Sequence, residues 1–321
     1  MLNPKVSISV PVYNVEKFLR KSLDSLVNQT LQEIEIIIVN DGSTDSCSTI
    51  CDEYAAKDPR IVIINKANGG LASARQAALD VARGEYFCAC DADDWVEHDM
   101  YEKLYQKAQE TDADIVMCDY WSEYHDEKRV ASHYEFDLSK REDMLDDALN
   151  KHFPTMVWNK LYKRTLFKKY NLSWEQGINM GEDLLIMLKI LSFPVRVAHI
   201  PVPLYHYRRI IGGSSYTNSI SLSAFNQLLR IRKWTDENIY KEKYRNGLFV
   251  QWLDQAFAGL RVKEGMTSQY YQYTTLTRIP YIGFVKYSYS KLKGLVVLIS
   301  KIFGYRAGRI LVKLLYRYIY Q

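Results

Sequence analysis

Tyr86-Phe87-Cys88-Ala89-Cys90-Asp91-Ala92-Asp93-Asp94-Trp95 is the stretch on which the fold turns. Its first half is an unbroken apolar run, the pattern of a strand buried on both faces. Its second half places three carboxylates within four residues at that strand's end. Carboxylates so crowded repel one another. The crowding makes sense where a hard divalent cation sits, since Mg²⁺ and Mn²⁺ prefer carboxylate oxygens and bridge to diphosphates. A solvated acidic turn is the alternative for this cluster taken alone.

Upstream, Val6 to Val12, Ile34 to Val39 and Ile61 to Ile64 read as three further, largely apolar strands. Between the first two, Val15, Phe18, Leu19, Ser22, Leu23, Leu26 and Val27 recur at helical spacing; Cys47, Ile50, Cys51 and Tyr54 mark a second helix, and Leu71 to Ala82 a third. Strands alternating with helices of this length predict an α/β fold, a Rossmann-like, mainly parallel sheet flanked by helices. In such sheets ligands bind beyond the carboxyl ends of the strands.

Polar clusters follow each of the earlier strands. Pro11-Val12-Tyr13-Asn14 ends the first and Asn40-Asp41-Gly42-Ser43-Thr44-Asp45 the second. Asp41 is placed to accept from a base or ribose group, and Gly42 permits a tight turn. Asn14 and Asp45 read equally well as caps of the helices that follow. The third cluster, Asn68-Gly69-Gly70-Leu71-Ala72-Ser73-Ala74-Arg75, sets a glycine pair before a helix. Such a helix start suits phosphate, while a plain loop with a surface arginine would look the same.

Downstream, the spacing predicts a helix over Tyr101 to Glu110, a strand over Ile115 to Cys118, a charged loop from Glu123 to His133 and a helix from near Gly181. Strands are expected at Val195 to Ile200 and Leu204 to Tyr207, and from about Ser219 the chain reads as helical. The expected division is an α/β domain over 1–217, carrying the polar clusters, and a helical C-terminal extension over 218–321. Val157, Trp158, Leu161 and Tyr162 fall at helical spacing and read as core or as site.

Apolar residues at 47% and charged residues at 25% exclude a disordered chain and a polytopic membrane protein. The net charge of +4 hides an asymmetry, because no Asp or Glu follows Glu264 while nine Lys and Arg do. Leu295, Leu298, Ile299, Ile302, Phe303, Leu311, Leu314, Leu315 and Tyr318 recur at helical spacing among Lys301, Arg306, Arg309, Lys313 and Arg317. Such a basic amphipathic segment either lies on an anionic membrane surface or packs on protein, the main domain or a partner subunit. Nucleic acid is not expected, for the rest of the chain is not basic and carries no recognition motif. Five scattered cysteines point to reduced thiols, and Met1 leads into a short strand with no export signal, so a cytoplasmic protein, peripheral on the inner face of the membrane, is expected.

Taken together, the four clusters in this order and spacing resemble the glycosyltransferase A fold of family-2 glycosyltransferases of the bacterial surface-polysaccharide type, over about the first 210 residues. The resemblance implies that Pro11, Val12, Tyr13, Asn14, Asp41, Asn68, Gly70 and Arg75 hold the nucleotide. It implies that Asp91, Ala92 and Asp93 form the Asp-x-Asp donor site, with Asp91 and Asp93 on Mn²⁺ or Mg²⁺ and Asp94 nearby. Gly181-Glu182-Asp183 looks like the family's base segment, with Asp183 as base and Glu182 beside it; both acids would also suit a helix dipole. Trp158 and Lys160, in Trp158-Asn159-Lys160-Leu161-Tyr162, would lie towards the acceptor, and His206 is a candidate third metal ligand or a satisfied strand histidine. Gly212-Gly213-Ser214-Ser215 reads either as a closing loop or as a connector.

The implied activity is that of an inverting, metal-dependent hexosyltransferase. It would move a monosaccharide from a nucleotide-diphosphate sugar, a UDP-sugar, to a hydroxyl of a lipid-linked glycan in capsular or cell-surface polysaccharide synthesis. A homo-oligomer or a partner transferase is a candidate assembly; the alternatives are a transferase acting on a soluble glycoprotein and a non-catalytic saccharide-binding subunit assisting another transferase. A nucleotidyltransferase would need an early glycine-rich loop where Pro11-Val12-Tyr13-Asn14 stands.

Overall fold

The computed structural model describes residues 4–124, 128–134, 143–209, 220–239, 242–262, 264–274 and 291–319. The elements open with β1 (Val6–Val12), α1 (Glu16–Val27), β2 (Ile34–Asn40), α2 (Cys47–Ala55), β3 (Ile61–Asn65), α3 (Leu71–Val81) and β4 (Tyr86–Ala89). They continue with β5 (Trp95–Val96), α4 (Met100–Thr111), β6 (Ile115–Glu123), β7 (Arg129–Ser132), α5 (Met144–Leu149), β8 (Lys160–Lys163), α6 (Thr165–Lys169), α7 (Glu182–Leu191) and β9 (Val197–Arg208). The remaining helices are α8 (Leu222–Asn238), α9 (Arg245–Leu260), α10 (Ser268–Thr274), α11 (Lys291–Phe303) and α12 (Tyr305–Ile319).

Two compact units divide the chain, 1–142 with 156–211 and 143–155 with 212–321. The boundary expected between 217 and 218 lies outside the described residues, as do Gly212 to Ser215. The segment 143–155, expected inside a continuous first domain, groups with the second unit.

In the first unit, the described strands make one nine-stranded sheet of order β3-β2-β1-β4-β8-β6-β9-β5, with β7 on β6. It is parallel from β3 to β4, because a helix carries the chain back between each successive pair from β1 to β4. Every residue of β1, β2 and β4 is buried, including Ser7 of β1, whose hydroxyl donates to Glu35 of β2 at 2.6 Å. Val12 lies opposite Asn40, and Asn40 opposite Asn65. The polar clusters that follow therefore emerge together along one edge.

Beyond β4 the sheet is mixed, since β8 runs antiparallel to both β4 and β6. This overturns the helical spacing of Val157 to Tyr162: Lys160, Leu161 and Tyr162 lie in mid-sheet, covered on both faces, and a short all-buried run cannot distinguish strand from helix. The two strands expected near Val195 and Leu204 are one, β9. Its register against β6 shifts at Asp119, where Ile200 pairs with Cys118 but Pro203 with Asp119, and the bulge takes Pro201 out of the ladder. All five cysteines are free and buried.

In the second unit α9 is the central helix, with Leu248, Phe249, Leu253, Ala256, Phe257 and Leu260 all buried. Helices α5, α8, α11 and α12 pack around it. Gly308 lets α12 close on α11, because a Cβ there would meet Ser300 Cβ at 2.4 Å.

Candidate functional site

The ends of β1 and β2 are laced to each other before any ligand is considered. Asn14, held at φ +52°, does not cap α1. Its Oδ1 accepts from the backbone N–H of Thr44 at 2.8 Å, and its own N–H donates to Ser43 Oγ at 3.2 Å. Asp45 does serve helix starts, accepting from the N–H groups of Glu16 and Cys47. Tyr13, between these anchors, is 50% exposed and presents its ring at the edge. Pro11, Val12 and Ala92 are buried, so their side chains belong to the core and only backbone remains to meet a donor.

Asp41 is expected to accept from a nucleotide, yet both of its oxygens are engaged by its own chain. Lys66 Nζ donates to Oδ1 at 2.5 Å and the N–H of Gly70 to Oδ2 at 2.7 Å, with the Gly69 N–H shared between them. Asp41 thereby shapes the glycine turn, and Lys66 is a partner that its position 25 residues away concealed. Asn68 is exposed, approached closely by Gly42, where a Cβ would stand 2.9 Å from the Asn68 nitrogen. Gly70 has φ +83°, and a Cβ there would fall 2.1 Å from Asn179 Nδ2. Asn179 Oδ1 accepts from the Ala72 N–H, so this first-turn donor of α3, expected to face phosphate, is already taken.

Arg75 is where the structure departs furthest from expectation. It is 1% exposed and points into a nest of carboxylates. One Nη1 donates to Asp183 Oδ1 at 2.5 Å and Glu182 Oε1 at 3.2 Å, while Nη2 donates to Asp91 Oδ1 at 2.8 Å. The guanidinium thus joins the acidic loop after β4 to the start of α7, 108 residues from Arg75 to Asp183. Burial opposes its charge, but Asp183, Asp91 and Glu182 together hold it firmly protonated. The same burial raises the Glu182 and Asp183 carboxyls; Asp183 adds to the rise at Glu182, and Arg75 restrains both. Asp183 keeps 22% side-chain exposure, and its Oδ2 faces the Val157 N–H at 3.4 Å. A carboxylate so placed, partly open and with a raised pKa, is equipped to take a proton.

Asp93 differs from its neighbours. Burial, then Asp91, push its pKa up to about 6, against a hydrogen bond from its own backbone and the Arg208 charge, which lower it. A desolvated hard-oxygen donor beside a second carboxylate fits a divalent cation held by Asp91 and Asp93. No group of three His, Cys, Asp or Glu side chains converges as a complete metal site among the described residues. Further ligands would come from diphosphate and water.

His206 is not the third ligand. Glu123 and Glu97 occupy Nδ1 and Nε2 at 2.7 and 3.0 Å, and the ring stacks on Trp95. Its neighbours tie the acidic loop to β9, a role that the sequence does not announce. The Tyr205 hydroxyl accepts from the Asp91 N–H and donates to Asp94 Oδ2 at 2.8 Å. Arg208 donates its N–H to Asp94 Oδ1 and its Nε to the Asp93 carbonyl, both at 2.8 Å. Asp94 is buried and serves to tie the acidic loop to β9.

Trp158 is no sugar platform: it is 5% exposed, its indole stacked on Tyr205 and Tyr207 with Tyr120 at its edge. Lys160 is fully buried, so it does not line an acceptor surface.

A parallel α/β half whose strand ends carry an acidic loop, linked by a buried arginine to a partly open carboxylate, is the frame of a glycosyltransferase A protein. Residues 7–171 match the model of glycosyl transferase family 2, and the chain belongs to that family. It is 40% identical over 210 residues to the uncharacterized glycosyltransferase EpsJ of Bacillus subtilis, covering 64% of this chain and 61% of EpsJ. S. aureus TarS 1–349, solved in complex with UDP-GlcNAc, superposes with a TM-score of 0.73 at 19% identity, over 96% of this chain and 90% of that one. The mannosyltransferase PcManGT of Pyrobaculum calidifontis, solved with GDP-Man and Mn²⁺, gives 0.57 at 15% identity over 97% and 84%.

Proposed function

We propose that the chain is an inverting hexosyltransferase that moves a monosaccharide from a nucleotide-diphosphate sugar, a UDP-sugar, to a glycan hydroxyl in surface-polysaccharide synthesis. The observation that carries this reading is the Arg75 cluster, which couples Asp91 on the donor side to Asp183 on the acceptor side. Tyr13 offers an exposed ring for the base. Asp183 accepts the proton of the acceptor hydroxyl as that oxygen bonds to the anomeric carbon. The anomeric carbon's bond to phosphate breaks, the diphosphate leaves with the electron pair, and a single displacement inverts the centre. Glu182, on the same guanidinium, holds Asp183 in place through Arg75. A Mn²⁺ or Mg²⁺ at Asp91 and Asp93 would supply positive charge opposite the departing diphosphate. The donor and metal named with TarS and PcManGT support this choice.

The second unit suggests a lipid-linked acceptor and a peripheral membrane position. No described helix is long and apolar enough to cross a membrane. On the α11–α12 pair, Leu295, Ile302, Phe303 and Ile310 are 51%, 55%, 73% and 60% exposed, with Lys301, Arg306 and Arg309 among them. Apolar side chains interspersed with cations suit an anionic lipid surface. The experiment is nucleoside diphosphate release from a panel of UDP- and GDP-sugars, with Mn²⁺ and then with chelator. Metal-dependent release from one donor is expected; no release and no donor binding would overturn the reading.

A further inference from the structure

Lys160 opens β8 with no exposed surface, among the largest fully buried side chains in the protein. An ammonium in such a place is costly to desolvate, and burial brings its pKa down to about 7 while Asp183 pulls it back up. Its partners show what the buried charge does. The Nζ donates to the Met156 carbonyl oxygen at 2.5 Å and to Asn159 Oδ1 at 2.8 Å. Asn159 is itself anchored, its Nδ2 donating to the Cys118 carbonyl of β6 at 2.6 Å.

The Met156 carbonyl and the Val157 N–H belong to one peptide group, and no peptide bond of the chain is cis. A trans peptide is planar, with C=O and N–H on opposite edges. The ammonium therefore sits on one end of a peptide dipole whose other end faces Asp183 Oδ2 at 3.4 Å. A cation on the carbonyl polarises the peptide and strengthens its N–H as a donor. The N–H···O distance is long, as such contacts are in free enzymes before substrate tightens them.

Resting on the reading of Asp183 as the base, we propose that Lys160 is a positioning residue that acts through the Met156–Val157 peptide. With the peptide fixed, Asp183 is held from two sides, Oδ1 by Arg75 and Oδ2 by the Val157 N–H. The carboxylate cannot rotate, and its remaining lone pairs keep one direction, towards the acceptor oxygen. Lys160 touches no substrate, so its removal acts on turnover rather than on donor capture.

The test compares Lys160→Met and Lys160→Gln with the wild-type chain and Asp183→Asn. Nucleoside diphosphate release from the UDP- and GDP-sugar panel is measured with Mn²⁺ and water as acceptor, together with nucleoside diphosphate affinity and thermal midpoint. Lys160→Met is expected to lower the maximal rate about 10- to 100-fold, the scale of a misplaced catalytic group. Donor KM and nucleoside diphosphate affinity should move less than about twofold, while the melting midpoint falls modestly because the Met156 carbonyl and Asn159 Oδ1 lose their donor. Should Lys160→Met not fold, Lys160→Gln carries the same expectation. An unchanged maximal rate, or a rate loss matched by an equal loss of donor affinity, overturns the relay. If Asp183→Asn loses release while Lys160→Met keeps it, the relay alone fails. Release retained by Asp183→Asn, or none from the wild-type chain with any donor, removes the base and the relay with it.

Discussion

Replacing Arg75 by Met isolates the interaction that joins the two halves of the site. The side chain is 1% exposed, and its loss leaves Asp91, Glu182 and Asp183, with 23%, 11% and 22% side-chain exposure, facing one another without a cation. Breaking a buried ion pair by removing one partner costs about 3–5 kcal/mol. The residual exposure of the three acids places this site near the lower end, about 3 kcal/mol at pH 8. The sign of the pH dependence follows from where the protons go. Without Arg75 the folded-state Glu182 and Asp183 carboxyls, already raised by burial and held down by the guanidinium, rise further above their unfolded values near 4, so the folded variant binds the extra protons. Stability then falls as pH rises from the unfolded value through the raised folded one. The deficit against wild type should therefore shrink to about 1 kcal/mol at pH 5. In urea denaturation of the full chain, followed by tryptophan fluorescence, the first-unit midpoint should drop by about 1 M at pH 8 and by less than half of that at pH 5. A drop of equal size at both pH values, or a larger one at pH 5, would refute the buried carboxylate cluster.

Gly70→Ala meets a positive φ and a Cβ position 2.1 Å from Asn179 Nδ2. Backbone strain and the displaced Asn179 cap together cost about 2–4 kcal/mol, a fall of roughly 5–12 °C in the melting midpoint. Asp93→Asn should lose Mn²⁺-dependent nucleoside diphosphate binding in calorimetry. In chelator at pH 8 the same variant should melt higher than wild type, because the Asp93 carboxyl, with its pKa raised to about 6, is ionised there at a cost the amide does not bear. Phe303→Asp changes a side chain that is 73% exposed, so the thermal midpoint should hold. Flotation with anionic vesicles should fall about tenfold; unchanged flotation would reassign the α11–α12 surface to protein contacts.

How far the sequence could be read depended on whether a signal was local. The parallel half was legible because β1, β2 and β4 are buried on both faces and are spelled as largely apolar runs ending in polar clusters, with only Ser7, Ser9 and Glu35 interrupting them. The same property misled at β8, where a short buried run around Lys160 has no period to separate strand from helix. At β9, Pro201 and Pro203 look like a break, and only the bulge against Asp119 reconciles them with a continuous strand. Site residues were found by position, whereas their partners were not. Arg75 stands in the right cluster, yet nothing near it announces Asp183, and His206 looks like a ligand until Glu97 and Glu123 arrive from 109 and 83 residues away. Asp41 was expected to be waiting for a nucleotide because Lys66 and the glycine amides approach it only once the loops have folded.

The central claim, that Asp183 is the base of a metal-dependent sugar transfer, is tested most directly by one comparison. Wild-type chain and Asp183→Asn are assayed side by side for Mn²⁺-dependent nucleoside diphosphate release from the donor that the panel selects, with donor affinity measured in the same preparations. The account predicts donor affinity within about threefold of wild type and release reduced by about 100-fold or more, the span attributed to a general base. Wild-type rates of release in Asp183→Asn would contradict it.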